Sequence, residues 1–549
     1  MDRRQFLTLP SRRQQTVKAD ASIATGRTDS GLAPYTGEFG TAQVVHLLKR
    51  TMFGATPEDI TWCKGLTMDA AVDALINTSN AVTTQPLNTY GDDATGIAPG
   101  TTWVNSAPPP EDGDLDRNRW PSYKAWWMDV MINQGRSIQE KMVLFWHNHF
   151  PTELTMVNDA RYIYKYNTML RANATGNFKT LTKAVTLDPA MLKYLNGYLN
   201  GKESPDENYG RELHELFTVG KGPDSHYTEE DVRATAQVLT GFRIEPVSMT
   251  SYFESTQHVI TNKEFSSFYN NRKIAGKSGA EGATELDDLL DIIFEQHEVS
   301  KFICRKIYRF FVYYQIDAAV EQNVITPLAQ IFRDNLYDIK PVLKALFKSE
   351  HFFDPLNMSA LIKSPVDFTV GMCREFGVEF PTDYMSRFES LDRLREHTGR
   401  MLQDIGDPPL VAGWEAYRQE PQYHEMWINT DTLPKRNMMS DSMISSGGFG
   451  GVKIDVLAFA DKLSEPGNPV VLIQDSLDLL YRMPLSDNSK ARLKNLILLS
   501  GQSPDSDYYW TEAWNKWKTN PTSANRNTVE SRLQTLYKYL MNMSEYQLS

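Results

Sequence analysis

Two short stretches of the chain concentrate ionisable and metal-binding side chains. Residues 145–150 (FWHNHF) hold two histidines one residue apart, and residues 204–220 (SPDENYGRELHELFTVG) combine several carboxylates with an arginine and a histidine. Imidazoles and carboxylates are common zinc ligands and the common acids and bases of hydrolytic sites. We therefore expect a polar pocket between the two stretches, formed by His147, His149, Glu212 and Glu215.

Residues 204–219 are predicted to form one amphipathic helix. Ser204 and Glu207 match a capping box, with Pro205 at the first helical position. This pattern gives Glu207 a structural role without any chemistry.

The polar residues of this helix allow two interpretations. On a helical wheel, Glu212 lies about 80° and Glu215 about 140° from the centre of the apolar stripe. Arg211 points nearly opposite and is spaced to pair with Glu215. The residues form either a solvated face with one ion pair or, with Asn208, a polar stripe that faces a cavity. A zincin motif is excluded, because Thr218 stands where HExxH requires its second histidine.

The two histidines of residues 145–150 are predicted to differ in their surroundings. His149 continues an apolar helical stripe, which is typical of a core histidine with a satisfied partner as well as of a ligand. His147 lies well round the wheel, so the two can bind one ion only if the helix breaks between them. Asn148 and Pro151 favour such a break.

Composition excludes several classes of protein. The 549 residues are 41% hydrophobic and 23% charged, as in ordinary globular proteins, and the formal net charge of −12 argues against a nucleic-acid-binding protein. No apolar run approaches the length of a transmembrane helix. Three widely spaced cysteines predict buried free thiols and no disulfide framework.

Hydrophobic periodicity predicts a mostly α protein. Helical spacing begins at Thr41 and continues through most of the chain, with a helix start at Thr56 and Pro57. The absence of strand–helix alternation makes a doubly wound sheet improbable. We expect a large multi-helix, bundle-like domain with long loops and one small β-hairpin near residues 247–276.

Three regions are predicted along the chain. Residues 1–40 form a disordered basic tail, and residues 41–430 form the main all-α domain with a surface excursion at 79–121. Residues 431–549 form a Gly-rich linker and a C-terminal helical subdomain that packs on the main domain. The linker sequence at 445–451 (SSGGFGG) lacks the Lys-Ser/Thr of a phosphate loop.

The start of the chain leaves the cellular location open. Residues 2–9 (DRRQFLTL) resemble a twin-arginine export signal, but residues 10–18 (PSRRQQTVK) supply no hydrophobic region. The missing hydrophobic region favours a cytoplasmic protein, with an exported or periplasmic protein as the alternative.

An ordered series of motifs resembles the bacterial family called domain of unknown function 1800. The similarity runs from about Val44 to the C-terminus through residues 46–56 (HLLKRTMFGAT), 140–151 (EKMVLFWHNHFP), 176–195, 204–220, 227–242, 363–365 (KSP) and 408–414 (PPLVAGW). The resemblance names no reaction. It implies a protein partner from a co-encoded family of unknown function, number 1501, which resembles sulfatase-type enzymes. It also implies export, because many members of the family are exported.

The family pattern points to a restricted set of site residues. His214 occupies a position that is usually Met in the family and is set aside. The remaining positions are His147, Asn148, His149, Asn208, Arg211, Glu212 and Glu215.

Two functions remain open. The first is a hydrolytic or metal-assisted reaction, in which His147, His149, Glu212 and Glu215 act in catalysis or hold a divalent metal and Asn148, Asn208 and Arg211 bind the substrate. The second is a non-catalytic protein that binds the family-1501 partner, in which the same residues form a buried network that determines helix register.

Overall fold

The helical periodicity that begins at Thr41 extends to the end of the chain in the computed structural model, which describes residues 28–110, 114–501, 503 and 505–549. The twin-arginine-like start and most of the predicted tail lie outside the described residues. Residues 28–40 contact the segment after residue 345: Tyr35 N donates to Lys348 O at 2.8 Å, and Pro34 forms an isolated bridge with Ser349.

The first half of the chain contains eleven successive α-helical segments among the described residues. They are α1 (Thr41–Thr51), α2 (Pro57–Lys64), α3 (Met68–Asn77), α4 (Leu115–Ile132), α5 (Gln139–His149), α6 (Leu154–Val157), α7 (Ala160–Ala172), α8 (Phe178–Thr186), α9 (Pro189–Tyr194), α10 (Asn208–Glu212) and α11 (Glu229–Val238). A π-helical segment, Leu213–Thr218, directly continues α10.

Helices also dominate the second half. They are α12 (Glu285–Phe294), α13 (His297–Phe311), α14 (Ala318–Val320), α15 (Thr326–Asp334), α16 (Ile339–Phe347), α17 (Pro365–Glu375), α18 (Tyr384–Arg400), α19 (Thr432–Ile444), α20 (Val456–Asp461), α21 (Pro469–Leu480), α22 (Asp487–Arg492), α23 (Asp507–Thr519) and α24 (Ser523–Asn542). No helix in the described part of the chain is long and apolar enough to cross a membrane. The prediction of a mostly α protein is confirmed.

The predicted β structure consists of two small antiparallel pairs. Strands β1 (Phe242–Glu245) and β2 (Thr250–Phe253) pair in the register Phe242 to Phe253, and strands β3 (Lys263–Glu264) and β4 (Lys273–Ile274) form the second pair. Together they span the predicted hairpin region.

Helix starts follow local capping chemistry in some places and not in others. At α2, Thr56 accepts from Asp59 N at 3.0 Å and Asp59 accepts from Thr56 N at 3.2 Å, which confirms the predicted start. At α4 the helix begins at Leu115, so residues 115–121 of the predicted excursion are helical. Pro121 lies inside this helix, where proline is disfavoured. For that reason the predicted excursion extends to residue 121, and the helix was expected to begin later than it does.

The predicted capping box at Ser204 and Glu207 is wrong. Helix α10 begins at Asn208, whose backbone N donates to Asp206 Oδ1 at 2.8 Å. Ser204 instead lies in an isolated bridge with Gly201. The N-cap position is Glu207, which makes no side-chain cap hydrogen bond, and the Asp206 carboxylate that precedes it accepts from the first helical amide.

One continuous apolar cluster of buried residues runs from Val44 to Tyr546. Helix α7 packs on both α5 and α4, α17 and α18 pack on α4, and α13 packs on the π-helical segment. Helix α24 packs on α19, and α21 packs on α1. The C-terminal helices therefore contribute to the same buried cluster as the first helix, while the proposed division at residue 430 stays a prediction.

Candidate functional site

Helix α5 runs without a break through both histidines, so their side chains have different surroundings. The His147 ring meets the Trp127 ring edge-on at 5.2 Å and lies 6.0 Å from the Trp414 ring. Both ring nitrogens are buried and lack a hydrogen-bond partner among the described residues. Burial and the nearby charge of Lys124 lower the pKa of His147 to about 3. His147 is thus a neutral, unpaired imidazole, which is unusual for a buried polar group.

His149 has a partner at each ring nitrogen. Its Nε2 lies 3.0 Å from Phe217 O, which can only accept, so Nε2 carries the proton. Its Nδ1 therefore accepts from Lys306 Nζ at 2.9 Å. Burial and the Lys306 charge hold the pKa of His149 well below its ordinary value. His149 consequently joins α5 to the backbone of the π-helical segment and not to its carboxylates.

Lys306 is a residue of this region that the sequence analysis missed. Its ammonium group also donates to Leu216 O at 3.1 Å. Burial, with the charges of Arg309 and Arg418, lowers the pKa of Lys306 to about 7. The sequence does contain a signal for a buried lysine here. Phe302 and Phe310 each lie four residues from Lys306, which places the lysine within an otherwise apolar helical stripe.

Asn148 positions a loop that comes from far along the chain. Its Oδ1 accepts from Trp414 N at 2.9 Å. Gly413 has a φ of +80°, and a Cβ atom there would lie 2.4 Å from both the carbonyl and the side-chain oxygen of Asn148. The motif at 408–414 is therefore held directly against the end of α5.

The two glutamates of the predicted site have unequal surroundings. Glu215 forms an ion pair with Lys221. Glu212 is half-buried, and its Oε2 has no hydrogen-bond partner in the described part of the chain. Burial and the neighbouring Glu215 charge raise the pKa of Glu212. A carboxyl group with an open oxygen and a raised pKa is suited to proton transfer.

The predicted ion pair between Arg211 and Glu215 is replaced by other contacts. Arg211 donates to Glu229 at 2.8 and 2.7 Å and to Glu207 at 3.1 Å. The partner Glu229 belongs to α11, so this pairing depends on tertiary structure. Asn208 Nδ2 donates to Leu195 O at 3.4 Å, which links the start of α10 to the end of α9.

Tyr194 connects Glu212 to a second set of carboxylates. Burial raises the pKa of Tyr194 to about 12, and the charges of Glu153, Glu212 and Asp407 act in the same direction. These three carboxylates are therefore near enough to act electrostatically on the same phenol. Glu153 and Asp407 were not among the predicted site residues.

Lys124 gathers the carboxylates of this second set. Its Nζ lies 2.6 Å from Asp404 Oδ2 and 3.5 Å from Asp407 Oδ2. Asp407 Oδ1 accepts from Leu154 N at 2.9 Å. Burial nevertheless raises the pKa of Asp407, which the Asp404 charge supports and Lys124 opposes. The same Lys124 supplies the charge that acts on His147.

A groove of about 480 Å³ opens beside these residues. We call it the Trp414 groove; Asp404, Asp407, Trp414, Trp427, Leu402 and Leu410 line it. Both tryptophans border the groove but are almost fully buried, whereas Leu402 and Leu410 are exposed. The groove thus combines an aromatic floor with acidic side chains and an apolar rim.

The predicted metal set does not come together in this arrangement. His147 faces Trp127 and Trp414, His149 is bound to Phe217 O and Lys306, and Glu215 is paired with Lys221. Within the described residues, no group of three or more His, Cys, Asp or Glu side chains is placed to hold a metal ion.

Comparisons with known proteins agree with the motif series. The family model described as "Protein of unknown function (DUF1800)" matches residues 46–548. No curated protein matches the chain, and no solved structure does. Because the family model covers nearly the whole sequence, the chain belongs to the DUF1800 family.

Proposed function

We propose that this protein is a hydrolase that uses carboxylic acid–base catalysis at the end of the Trp414 groove. The observation that carries the proposal is the pair Asp407 and Glu212. They come from separate motifs, both have a raised pKa, and both act on Tyr194. Hydrolysis needs groups that deliver and accept a proton near neutral pH, and burial prepares carboxyl groups for that task.

The surrounding residues have distinct roles in this proposal. Lys124 holds Asp404 and Asp407 together, and the Leu154 amide orients Asp407. Asn148 positions the loop that carries Trp414. His147 lies beside Trp414 with both ring nitrogens buried and unpaired, so a water molecule buried with it, and not a substrate group, is its remaining hydrogen-bond partner.

The other predicted site residues have structural roles in this proposal, because they connect the helices around Glu212. His149 and Lys306 connect α5 to the π-helical segment that follows Glu212. Arg211 connects α10 to α11, Glu215 influences the proton affinity of Glu212, and Asn208 connects α10 to α9. The proposed mechanism needs no metal ion, and elemental analysis of the purified protein tests this: stoichiometric zinc, manganese or iron would contradict it.

The groove indicates the class of substrate. Its titratable lining residues are acidic, so a polyanion would be repelled. Tryptophan surfaces bind the apolar faces of sugars and aromatic or aliphatic side chains. We therefore propose an uncharged or cationic substrate, such as a glycoside or a peptide.

The test is hydrolysis of a panel of chromogenic glycosides, esters and peptides by the wild-type protein and two variants. We expect Asp407→Asn and Glu212→Gln each to lower kcat by about 100-fold or more, as for loss of a proton-transfer group. Asp287→Asn, which removes a carboxylate that pairs with Lys183 at the surface, is the matched control and should keep full activity. Wild-type rates in both site variants would rule out the proposed mechanism.

A specific observation favours a second function, the binding of a protein partner. Leu402 and Leu410 are 52% and 44% exposed at the rim of the groove. Exposed leucines beside a tryptophan-floored groove suit a protein–protein contact. The family resemblance supplies the candidate, the co-encoded family-1501 protein.

Co-purification tests this second function. Leu402→Glu should weaken capture of the family-1501 protein at low salt, whereas Val247→Glu, at a side chain that is 70% exposed in a β-turn, should not. Failure of the wild-type pair to co-purify would count against partner binding and would leave the hydrolase test unaffected.

A further inference from the structure

A second cavity, of about 530 Å³, lies along one face of α18. This α18 cavity is lined by Ser386, Glu389, Arg393, Glu396, His397 and Arg400. Their spacing of three or four residues places them on a single face of the helix. Met438 of α19 and residues 449–451 of the Gly-rich segment complete the lining.

The Gly-rich segment is held against α18 by specific contacts. The Phe449 ring meets the His397 ring edge-on at 5.1 Å, and Phe449 exchanges backbone hydrogen bonds of 2.8 and 3.1 Å with Val452. Gly450 has a φ of +60°, and a Cβ atom there would lie 2.8 Å from the Arg393 Cβ atom. Gly450 is thus kept next to Arg393 and Gly451 next to Ser390, so this segment forms a wall of the cavity as well as a connection.

The lining of the α18 cavity contains unused hydrogen-bond donors at Arg393 and in the Gly-rich segment. Arg393 is exposed, and no carboxylate of the described chain pairs with it. The backbone amides of Gly450 and Gly451 likewise donate to no acceptor among the described residues. A guanidinium group and two open backbone amides in the lining of one cavity are a donor set that suits a carboxylate or a phosphate.

The other charged residues that line the α18 cavity favour a monoanionic ligand over a dianionic one. Arg400 lies 4.0 Å from Glu396, so these two charges largely offset each other. Burial lowers the pKa of His397, which keeps it neutral at neutral pH, and its Nε2 donates to Lys435 O at 2.9 Å. Glu389 remains on the same face as Arg393 and would repel a dianion more strongly than a monoanion.

We propose that the α18 cavity binds a small organic monocarboxylate. The carboxylate accepts from the Arg393 guanidinium and from the Gly450 and Gly451 amides, and the apolar part of the ligand contacts Phe449 and Met438. Met438 is 50% exposed, so it offers an open apolar surface at the cavity. The cavity volume is in the range of known small-molecule sites. This site is separate from the Trp414 groove and does not depend on the hydrolase proposal.

The experiment is titration of the full-length protein with phenylacetate, followed by calorimetry and by saturation-transfer NMR. Arg393→Gln should weaken binding by about tenfold or more, since a charge-assisted hydrogen-bond pair is lost. Glu389→Gln should strengthen binding by a few-fold, since it removes the opposing charge. Arg233→Gln, an equal change of charge on α11, should leave the affinity unchanged.

Each other outcome overturns the proposal. Absence of phenylacetate binding at millimolar concentration, or equal weakening by Arg393→Gln and Arg233→Gln, would show that the cavity is no anion site. Tighter binding of inorganic phosphate than of phenylacetate would overturn the choice of a monocarboxylate. If Arg393→Gln fails to fold, the affinity of Glu389→Gln for phenylacetate still tests the proposal, because this variant should bind more tightly than the wild type. Asp407→Asn should not alter phenylacetate binding, so failure here is distinguishable from failure of the hydrolase proposal.

Discussion

Replacing each of two buried histidines by leucine tests whether its imidazole stabilises the fold through hydrogen bonds. His147 has no hydrogen-bond partner at either ring nitrogen among the described residues. His214 is fully buried too, but its Nδ1 lies 2.6 Å from Tyr269 Oη and its Nε2 lies 2.8 Å from Thr235 Oγ1. Leucine is similar in size to histidine and carries no polar atom, so the two substitutions differ mainly in what they leave unpaired.

The expected free energies of unfolding follow from these contacts. In His214→Leu two buried hydroxyl groups lose their partner, and each unsatisfied group costs about 1–3 kcal/mol, so the loss of stability should be about 2–6 kcal/mol. In His147→Leu the removal of an unpaired buried imidazole gains about 1–2 kcal/mol, and the lost edge contact with Trp127 costs about 0.5–1.5 kcal/mol. The stability of His147→Leu should therefore stay within about 1 kcal/mol of the wild-type value.

Thermal melts of the wild type and both variants under identical conditions provide the assay. We expect the Tm of His147→Leu to match or exceed that of the wild type, and the Tm of His214→Leu to fall clearly below both. On the hydrolase proposal, His147→Leu also loses activity while its fold persists. A drop in Tm for His147→Leu as large as that for His214→Leu would refute the reasoning, because His147 would then be held by a satisfied hydrogen bond.

Three further predictions concern other contacts. Burial lowers the pKa of Lys306 from 10.5 to about 7, so between these pH values the unfolded chain binds more protons than the folded chain. Burying Lys306 therefore lowers the free energy of unfolding fully below about pH 7, and this loss fades as the pH approaches 10.5. The stability of Lys306→Met relative to the wild type should consequently decrease by up to about 1.4 kcal/mol per pH unit between pH 7 and 10, and a constant difference in denaturation would contradict this. Gly413→Ala should lower the Tm and displace the groove loop, whereas Gly447→Ala, where a Cβ atom meets nothing within 4 Å, should not; equal melts would disprove the close contact. Lys263→Met should destabilise the fold by about 3–5 kcal/mol because it leaves the buried Glu285 carboxylate without its lysine, with only the Lys277 amide and His258 beside it, and a loss below about 1 kcal/mol in the same melts would refute the buried ion pair.

The sequence predicted those features that depend on neighbouring residues. Helical periodicity is repeated along the chain, so the mostly α class follows from it. The start of α2 was predicted because Thr56, Pro57 and Asp59 form a cap within four residues. The same reasoning failed at Ser204, because Ser204 lies in a bridge with Gly201 and the Asp206 carboxylate accepts from the first helical amide in its place.

The helical wheel also separated His147 from His149, and the structure shows α5 continuous through both. Whether each imidazole has a partner could not be derived in this way. The partner of His149, Lys306, is 157 residues away along the chain. No local spacing carries that information.

By itself, the sequence determined the fold class, the family and the two motifs near which polar side chains gather. Only the tertiary structure decided which of those side chains meet. It paired Arg211 with Glu229, placed Asp407 and Glu212 where the charge of each acts on Tyr194, and placed Trp414 against Asn148. The physical reason is that helix formation depends on contacts within a few residues, whereas a site depends on how helices from distant segments pack and on which charges that packing removes from water.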